Sequence, residues 1–424
     1  MLPRTRLGML SVGGESATSL KRITPTDILP AQLTLQYDKT KATYTTASLG
    51  ITADASGSTT QLHTGWHWLP LLHLLIAQDV PVVVRVDHAA ATAATTTASV
   101  QFRRPALGRH IGLAGTAFVI QPAVKGHELD KGAFLPSILH ALQYGHTSAI
   151  IRAHTTTAPL SDENQLNSNL SSLRKQLDTP IGFTYQNQMV QVPKSERSHW
   201  FIASGTTMIT SEPAIKSYLA RQFHVAIANP NDLATATAYA VSHTTTRTFR
   251  VVPAGPNTII RSYCTATRDV DSNVLGILND TLALTYNDVR GWNNEGTIAF
   301  EHVTSGCEYT VWMSSAAQVT SFGAICDNYY NCQVGTNVIM NYDRWTSATP
   351  PWNKTGGTMQ DYHTLMINHE TGHRLGFADN PTCPAAGDPA PVMMQQSIDL
   401  KGCVFNIWPR PAEFSQLNRM LGLE

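Results

Sequence analysis

The residues best suited to chemistry lie near the end of the 424-residue chain, in the run NHETGHRLGFAD at 368–379. In a helix, His369 and His373 lie one turn apart on the same face, so both imidazoles can reach one metal ion. Glu370 follows the first imidazole and can take a proton from a metal-bound water without binding the metal itself. This spacing predicts a Zn²⁺ site for hydrolysis, with Glu370 as the catalytic base.

Two further features extend the predicted site. Gly376 can adopt the left-handed conformation that ends a helix, and the reversal of the chain brings Asp379 toward the metal as a third ligand. Downstream, the Pro-containing segment APVMM offers Met393 (or Met394) for a tight turn beneath the metal. The competing interpretation is an ordinary helix that carries two unrelated histidines.

The elements that must position these residues are readable from the hydrophobic pattern. The helix with the histidines is predicted over about 359–375, after a Pro/Gly loop at 350–357. Alternating patterns predict strands at 297–303, 309–313 and 337–342. The last strand, over 338–342, is expected to present an edge that pairs with an extended substrate.

All six cysteines lie in this C-terminal part of the chain: Cys264, Cys307, Cys326, Cys332, Cys383 and Cys403. An even number confined to one region predicts disulfides and an oxidising compartment. The alternative, a thiolate zinc site, is disfavoured because there is no C-x-x-C pair. Several pairings are possible; local spacing favours Cys326–Cys332 and Cys383–Cys403, which leaves Cys264–Cys307.

Composition limits the possible partners. The formal net charge is zero and 42% of the residues are hydrophobic, so a soluble globular protein with no nucleic-acid or anionic-membrane partner is expected. No stretch is long enough to span a bilayer, and the most apolar run, 68–77, is interrupted by Pro70 and His73. Residues 1–22 contain no signal-peptide core, whereas the cysteines indicate export. We therefore expect an extracellular or cell-surface protein that either uses another export route or, as we favour, has its signal or anchor segment absent from this sequence.

The pattern along the chain predicts a multidomain α+β protein. Residues 1–27 are assigned to a tail or linker, and 28–226 to an α+β region that divides into two halves near 160. Residues 227–246 are assigned to a linker and 247–424 to the domain with the histidines. Within the first region, the Ala/Thr-rich run at 89–99 is predicted to be a loop or a poorly ordered helix.

A hydrophobic pattern punctuated by glycine and proline extends over about 30–225. Its members are FVIQP (118–122), Gly126, Leu129-Asp130, Ile138, Ala141-Leu142, Gly145, Pro159-Leu160, Pro180-Ile181, Trp200, Ile215 and Tyr218-Leu219. This set resembles the peptidoglycan-binding domain of bacterial cell-surface proteins. The resemblance implies a cell-wall partner for the N-terminal region.

A second set of motifs, over about 247–416, is more specific in order and spacing. Its members are DVRGW (288–292), CQVG (332–335), VIMN (338–341), RW (344–345), MINHETGH (366–373), CP (383–384), APVMMQQ (390–396), GC (402–403) and WP (408–409). The set resembles an uncharacterised, largely actinobacterial family of secreted metzincin-like zinc peptidases. That family has His at the third ligand position, where this chain has Asp379. Snapalysin-like metzincins are similar to this chain in having Asp at that position. The alternative to Asp379 as third ligand is a loop residue there, with water or another group completing the site.

Two functions follow from these observations. The first is an exported zinc metalloendopeptidase, tethered at the cell wall by its N-terminal region, that cleaves protein or the stem peptides of peptidoglycan. The alternative is a non-catalytic cell-wall-binding or adhesion protein in which a metzincin-like domain serves a structural role. The intact Glu370 favours the first, because a decayed site need not keep its general base.

Overall fold

The structure is a computed structural model that describes residues 4–63, 78–378 and 380–423. The apolar run at 68–77 therefore lies outside the described residues. The chain divides into two compact units, Met1–His110 with Gln121–Asp162, and Ile111–Ile120 with Glu163–Glu424. Both contain helices and strands, so the predicted α+β, multidomain class is confirmed.

The first unit is built from short strands around a small core. Its described strands are β1 (Thr5–Leu7), β2 (Leu10–Ser11), β3 (Gln32–Tyr37), β4 (Thr40–Thr45), β5 (Ile51–Ala53), β6 (Gln78–Val80), β7 (Val84–Val86), β10 (Gly126–Leu129), β11 (Ser148–Ile150) and β12 (Ala153–Thr156). They form the sheets β2-β1-β6, β11-β3-β4, β5-β7 and β10-β12. Its described α-helices are α1 (Ala17–Leu20), α2 (Pro25–Ile28), α3 (Ala55–Thr60), α4 (His88–Gln101) and α5 (Lys131–Gln143).

Two segments of this unit differ from their predicted structure. Residues predicted to be a tail contribute Leu7, Val12 and Leu20 to the core, at 0%, 0% and 3% exposure. The Ala/Thr-rich run is a regular helix, α4, capped at its N-terminus by the Asp87 carboxylate. Its hydroxyl groups donate to carbonyls one turn earlier in the same helix, as Thr95 does to Ala91. Hydropathy does not register these side-chain-to-backbone hydrogen bonds, so the threonine-rich pattern did not predict a regular helix.

The second unit begins with an α+β half that shares one large core. Its elements are the hairpin β8 (His110–Ala114) with β9 (Ala117–Gln121), α6 (Glu163–Asp178), β13 (Ile181–Tyr185), β14 (Gln188–Gln191), α7 (Lys194–Ser198), β15 (Phe201–Ser204), β16 (Thr207–Thr210), α8 (Glu212–Phe223), α9 (Pro230–Ser242) and β17 (Arg247–Arg250). The segment predicted to be a linker contains α9, whose Leu233, Ala236 and Ala240 are fully buried. The alanines of α9 give a low-complexity sequence, but in the structure they are small buried residues that allow the helix to pack closely.

The remaining half carries the predicted site. Its elements are β18 (Ile259–Arg268), α10 (Val274–Asn287), β19 (Ile298–His302), β20 (Tyr309–Ser314), α11 (Ala316–Val319), β21 (Cys332–Val334), β22 (Asn337–Asn341), α12 (Tyr342–Ser347), α13 (Met359–Leu375) and α14 (Pro411–Leu421). Its strands form a sheet in the order β19-β18-β20-β22-β21. All neighbours run parallel except β21, which runs antiparallel to β22.

This sheet corrects the predicted substrate-binding edge. Strand β22, the counterpart of the strand predicted over 338–342, lies between β20 and β21 and is paired on both sides. The edge beside it is β21, a three-residue strand. The sequence shows a buried apolar run for β22, which fits a central strand, but it does not show the order of strands in the sheet.

Three disulfides staple this half: Cys264–Cys307, Cys326–Cys332 and Cys383–Cys403, the pairing that local spacing favoured. The second closes the loop that leads into β21, and the third brackets the segment with Met393. Such bridges are compatible with an extracellular protein. None of the helices in the described part of the chain is both long and apolar enough to cross a bilayer.

Candidate functional site

Helix α13 carries the two histidines and has well-defined ends. Thr358 caps its N-terminus together with Asp361, and Gly376 ends it with a φ of 114°. That φ lies in the left-handed region that glycine adopts without strain, so the predicted helix stop is confirmed. The rings of His369 and His373 lie side by side, with centroids 4.9 Å apart and planes at 87°.

Both imidazoles are anchored by backbone carbonyls. His369 Nδ1 lies 2.9 Å from the Val392 oxygen, and His373 Nδ1 lies 2.7 Å from the Phe377 oxygen. A carbonyl oxygen only accepts, so each Nδ1 must carry the proton and each Nε2 keeps its lone pair. Burial, and then the neighbouring His373, lowers the pKa of His369 to about 4. At neutral pH, His369 is therefore an uncharged imidazole in the tautomer that a metal ligand requires.

Glu370 lies between these imidazoles in sequence and is only 6% exposed. Burial raises its pKa to about 8, because a carboxylate loses its hydration in this position. Within the described residues, its carboxyl group has no hydrogen-bond partner. A buried carboxyl without a partner is costly, which is typical of a group kept for chemistry rather than for stability.

The turn around Met393 lies directly beneath α13. Met393 is 1% exposed, and its N–H donates to the Glu413 carboxylate on α14 at 2.9 Å. A Cβ atom at Gly372 would lie 2.2 Å from the Met393 sulfur, so any larger residue at this point of the helix would displace the Met393 side chain. Met394 is also buried but lines the adjoining cavity instead.

Two cavities meet at His369 and Glu370. The first has a volume of about 260 Å³, and its lining includes the apolar side chains of Leu365, Met366 and Met394. The second, of about 490 Å³, also contains His373 and continues along Cys332 and Gln333 of β21. The imidazoles and the buried carboxyl therefore face one continuous groove beside the edge of the sheet.

The backbone of β21 leaves one residue unpaired on its outer side. Val334 and Asn337 flank the two-residue turn at 335–336 and therefore form a hydrogen-bonded pair. The next pair, Gln333 with Val338, is then a pair without mutual hydrogen bonds. The N–H and C=O of Gln333 consequently point away from β22, toward the groove side of the strand.

The predicted three-ligand metal centre requires correction. In the part of the chain that the structure describes, no group of three or more His, Cys, Asp or Glu side chains is placed to hold a metal ion. Asp379, the predicted third ligand, lies outside the described residues, so the described set supplies only His369 and His373. The identification as a metzincin-like zinc metalloendopeptidase is therefore wrong.

Three residues that support the site were given no role from the sequence. Trp292 Nε1 donates to the Asn368 carbonyl at 2.8 Å, and Tyr286 shares a 2.9 Å hydrogen bond with Thr371 on the buried side of α13. Glu413 holds the Met393 turn. Trp292 lies in the DVRGW motif and Glu413 occupies the third position of a helix that begins with Pro411, whereas Tyr286 had no such signal.

Two further side chains of this half have partners far along the chain. His363 stacks on Trp345 with ring centroids 3.8 Å apart, and its Nε2 lies 2.7 Å from the Trp345 carbonyl oxygen. Glu308 accepts from Arg261 at 2.9 Å and from Arg374 at 2.7 Å. These contacts are set by tertiary structure.

Comparisons with known proteins give limited guidance. Residues 237–411 match a family described as "Protein of unknown function (DUF3152)". No curated protein matches the chain. The crystal structure of the Enterococcus faecium L,D-transpeptidase C442S mutant is similar at 10% identity and a TM-score of 0.19, covering 22% of this chain. The match spans 53% of that protein, about half its length, and so weak a likeness carries no argument.

These matches overturn both resemblances drawn from the sequence. The family over 237–411 has no known function, and neither a metzincin-like peptidase family nor a peptidoglycan-binding module is found. The motifs that suggested the peptidase class lie within this family match, and the family's description assigns them no activity. The hydrophobic pattern over 30–225 is likewise a fold-level signal, which does not identify a ligand.

Proposed function

We propose that the C-terminal half of the second unit binds an extended polypeptide segment along β21. The observation that carries this proposal is the outward-facing backbone of Gln333, which lies in the same groove as His369 and Glu370. An added strand gains main-chain hydrogen bonds at such an edge, and adjoining pockets select its side chains. The apolar lining formed by Leu365, Met366 and Met394 suits an apolar side chain of the bound segment.

The short edge strand supports this use. A long exposed edge invites aggregation, and proteins limit that hazard by keeping edge strands short. Strand β21 spans only Cys332–Val334, and the Cys326–Cys332 disulfide fixes its start. The edge is therefore rigid enough to present one unpaired residue without offering a general template for aggregation.

We further propose that His369 and His373 bind Zn²⁺ through their Nε2 atoms. The observation in favour is the fixed tautomer, since both Nδ1–H groups are held by the Val392 and Phe377 carbonyls. A bound cation of this kind polarises a carbonyl group. The two imidazoles fit as ligands, and water and the bound polypeptide are expected to complete the coordination.

The test of polypeptide binding uses two substitutions at one edge residue. Gln333→Pro removes the outward N–H, at a position where an edge strand accepts proline. Gln333→Ala keeps that N–H and removes only the side chain. We expect the full chain to bind a fluorescent mixed peptide library in an anisotropy titration, the alanine variant to bind like wild type, and the proline variant to bind at least about tenfold more weakly.

Equal loss in both variants would show that the side chain of Gln333, not the strand edge, binds the ligand. Unchanged binding in Gln333→Pro would contradict addition of a strand at β21.

An extracellular location agrees with the three disulfides and is proposed on that basis. Attachment to a cell wall through the N-terminal region stays a prediction. Retention of the full chain on purified sacculi, compared with a buffer-washed control, would test it.

A further inference from the structure

Glu413 is a buried carboxylate that reaches from the last helix into the turn beneath the histidines. It lies in the first turn of α14 and is 6% exposed. Its Oε1 accepts from the Met393 N–H at 2.9 Å, and its Oε2 accepts from the Val392 N–H at 3.1 Å and from the Arg410 N–H at 2.8 Å. Three backbone donors thus converge on one side chain.

The same turn supplies the carbonyl that anchors an imidazole. Val392 donates its N–H to Glu413 and offers its C=O to His369 Nδ1 at 2.9 Å. Glu413 therefore connects to His369 through a single residue. Because a carbonyl oxygen selects the Nδ1–H tautomer, the placement of Val392 decides which ring nitrogen of His369 keeps a lone pair.

Other anchors of the turn act on different groups. Gln396 Nε2 donates to the Pro391 carbonyl at 3.0 Å, and Asn406 Nδ2 donates to the Ala390 carbonyl at 2.9 Å. These bonds hold the preceding carbonyls and leave the Val392 and Met393 N–H groups to Glu413. Loss of the carboxylate would leave both buried N–H groups without an acceptor, a state that drives a turn to rearrange.

Ordinary helix capping does not explain the hydrogen bonds from Glu413 to the distant Val392–Met393 turn. At α13, Asp361 plays the equivalent capping role, and among the described residues its carboxylate accepts only from Thr358, three residues earlier. Glu413 accepts from its own N-cap residue, Arg410, and also from residues 20 and 21 positions away in the chain. The additional bonds lead toward the groove and not along α14.

We infer that Glu413 is a positioning residue, which fixes the tautomer and orientation of the His369 imidazole through the Val392–Met393 turn. The tautomer part stands on geometry alone. The consequence for metal binding rests on the proposed Zn²⁺ site, so the two are measured separately.

The first experiment measures the His369 tautomer in the metal-free, ¹⁵N-labelled full chain by long-range ¹H–¹⁵N correlation. His369→Gln identifies the signal. Wild type is expected to hold the proton on Nδ1, Glu413→Ala to show a mixture of tautomers, and Glu413→Gln, which keeps one acceptor, to lie between them. Asp361→Asn, which weakens the matching cap on α13 and likewise keeps one acceptor, is expected to match wild type.

A wild-type tautomer in folded Glu413→Ala and Glu413→Gln overturns the inference, and so does an equal change in Asp361→Asn. If the alanine variant does not fold, the glutamine variant decides, because it preserves side-chain length and one hydrogen bond. Thermal unfolding of each variant separates a local change from global loss of structure.

The second experiment titrates Zn²⁺ into the same proteins by calorimetry. Glu413→Gln should bind about ten- to 100-fold more weakly than wild type, the usual range for loss of a group that orients a ligand. Absence of binding in wild type would overturn the Zn²⁺ proposal and leave the tautomer result standing. Binding in wild type with no change in Glu413→Gln would overturn the metal part of the inference.

Discussion

Two pairs of histidines in this chain have different surroundings. His369 and His373 lie on α13 with both Nδ1 atoms against backbone carbonyls. His140 and His146 line an open groove in the first unit, beside α5, and both are exposed. Neither side chain of this second pair makes a hydrogen bond within the described residues. Two imidazoles that line one groove are therefore common to both places, whereas fixed orientation is found in only one of them.

This difference shows that a fixed orientation, and not a place in a groove, distinguishes a histidine that is prepared to bind a ligand. A free imidazole can rotate and can hold its proton on either nitrogen, so it must lose that freedom when it binds a metal or a substrate. His369 and His373, the anchored pair, have already lost this freedom on folding. The carbonyls of Val392 and Phe377, and the carboxylate of Glu413 behind the first of them, account for this preorganisation.

The largest expected effect contrasts the two pairs directly. His369→Ala and His373→Ala should each abolish Zn²⁺ binding by the full chain, because each removes half of the described ligand set. His140→Ala and His146→Ala should leave it unchanged. Calorimetric titration of the four variants checks this. If the two groups of variants lost affinity alike, preorganisation would not distinguish the pairs.

The next effect concerns the buried carboxyl beside the anchored pair. Burial raises the pKa of Glu370 from 4.5 to about 8, so the folded state holds this proton more tightly than the unfolded state does. The stability that Glu370 contributes through this proton is fully present below about pH 4.5, is lost as pH rises to about 8 and does not change further above that. Glu370→Gln does not titrate, so its free energy of unfolding relative to wild type should rise by up to about 5 kcal/mol between pH 4.5 and pH 8.

Urea unfolding of metal-free protein at pH 5 and pH 8 measures this gain. The exposed Glu15 provides the control substitution, Glu15→Gln. A constant difference between Glu370→Gln and wild type at the two pH values would contradict the buried, unpartnered state of the carboxyl.

The smallest effect compares a glycine on each histidine-bearing helix. At Gly372 of α13 an added Cβ would meet the Met393 sulfur at 2.2 Å, so Gly372→Ala should destabilise the fold by about 1–3 kcal/mol. At Gly132 of α5 the nearest atom is Asp130 Oδ1 at 3.4 Å, so Gly132→Ala should stabilise by about 0.5–1 kcal/mol. Denaturant midpoints give both values, and the same sign at both sites would refute the tight packing under α13.

The sequence predicted α13 well because its signals are local. The Thr358–Asp361 cap, the periodic apolar residues and Gly376 all lie within the helix or next to it, and the predicted range of 359–375 agrees with Met359–Leu375. The tight disulfide Cys326–Cys332 was predictable for the same reason.

The groove was predicted only in part, because its remaining features depend on tertiary structure. Hydropathy identified β22 as a strand but gave it the edge position that belongs to β21. The acceptors of the histidine protons, Val392 and Phe377, are backbone groups, which no residue type reveals. Glu413 acts from α14 on a turn some 20 residues earlier, a contact that only folding creates.

The central claim, that a polypeptide adds to β21 beside His369 and Glu370, is tested most directly by amide hydrogen exchange at single-residue resolution. In the free protein, the outward N–H of Gln333 should exchange fast, while the N–H of Val334, paired with Asn337, is protected. Saturation with a peptide from the bound library should slow Gln333 exchange at least about tenfold and leave Val334 unchanged. Unchanged exchange at Gln333 in the saturated complex would contradict the account.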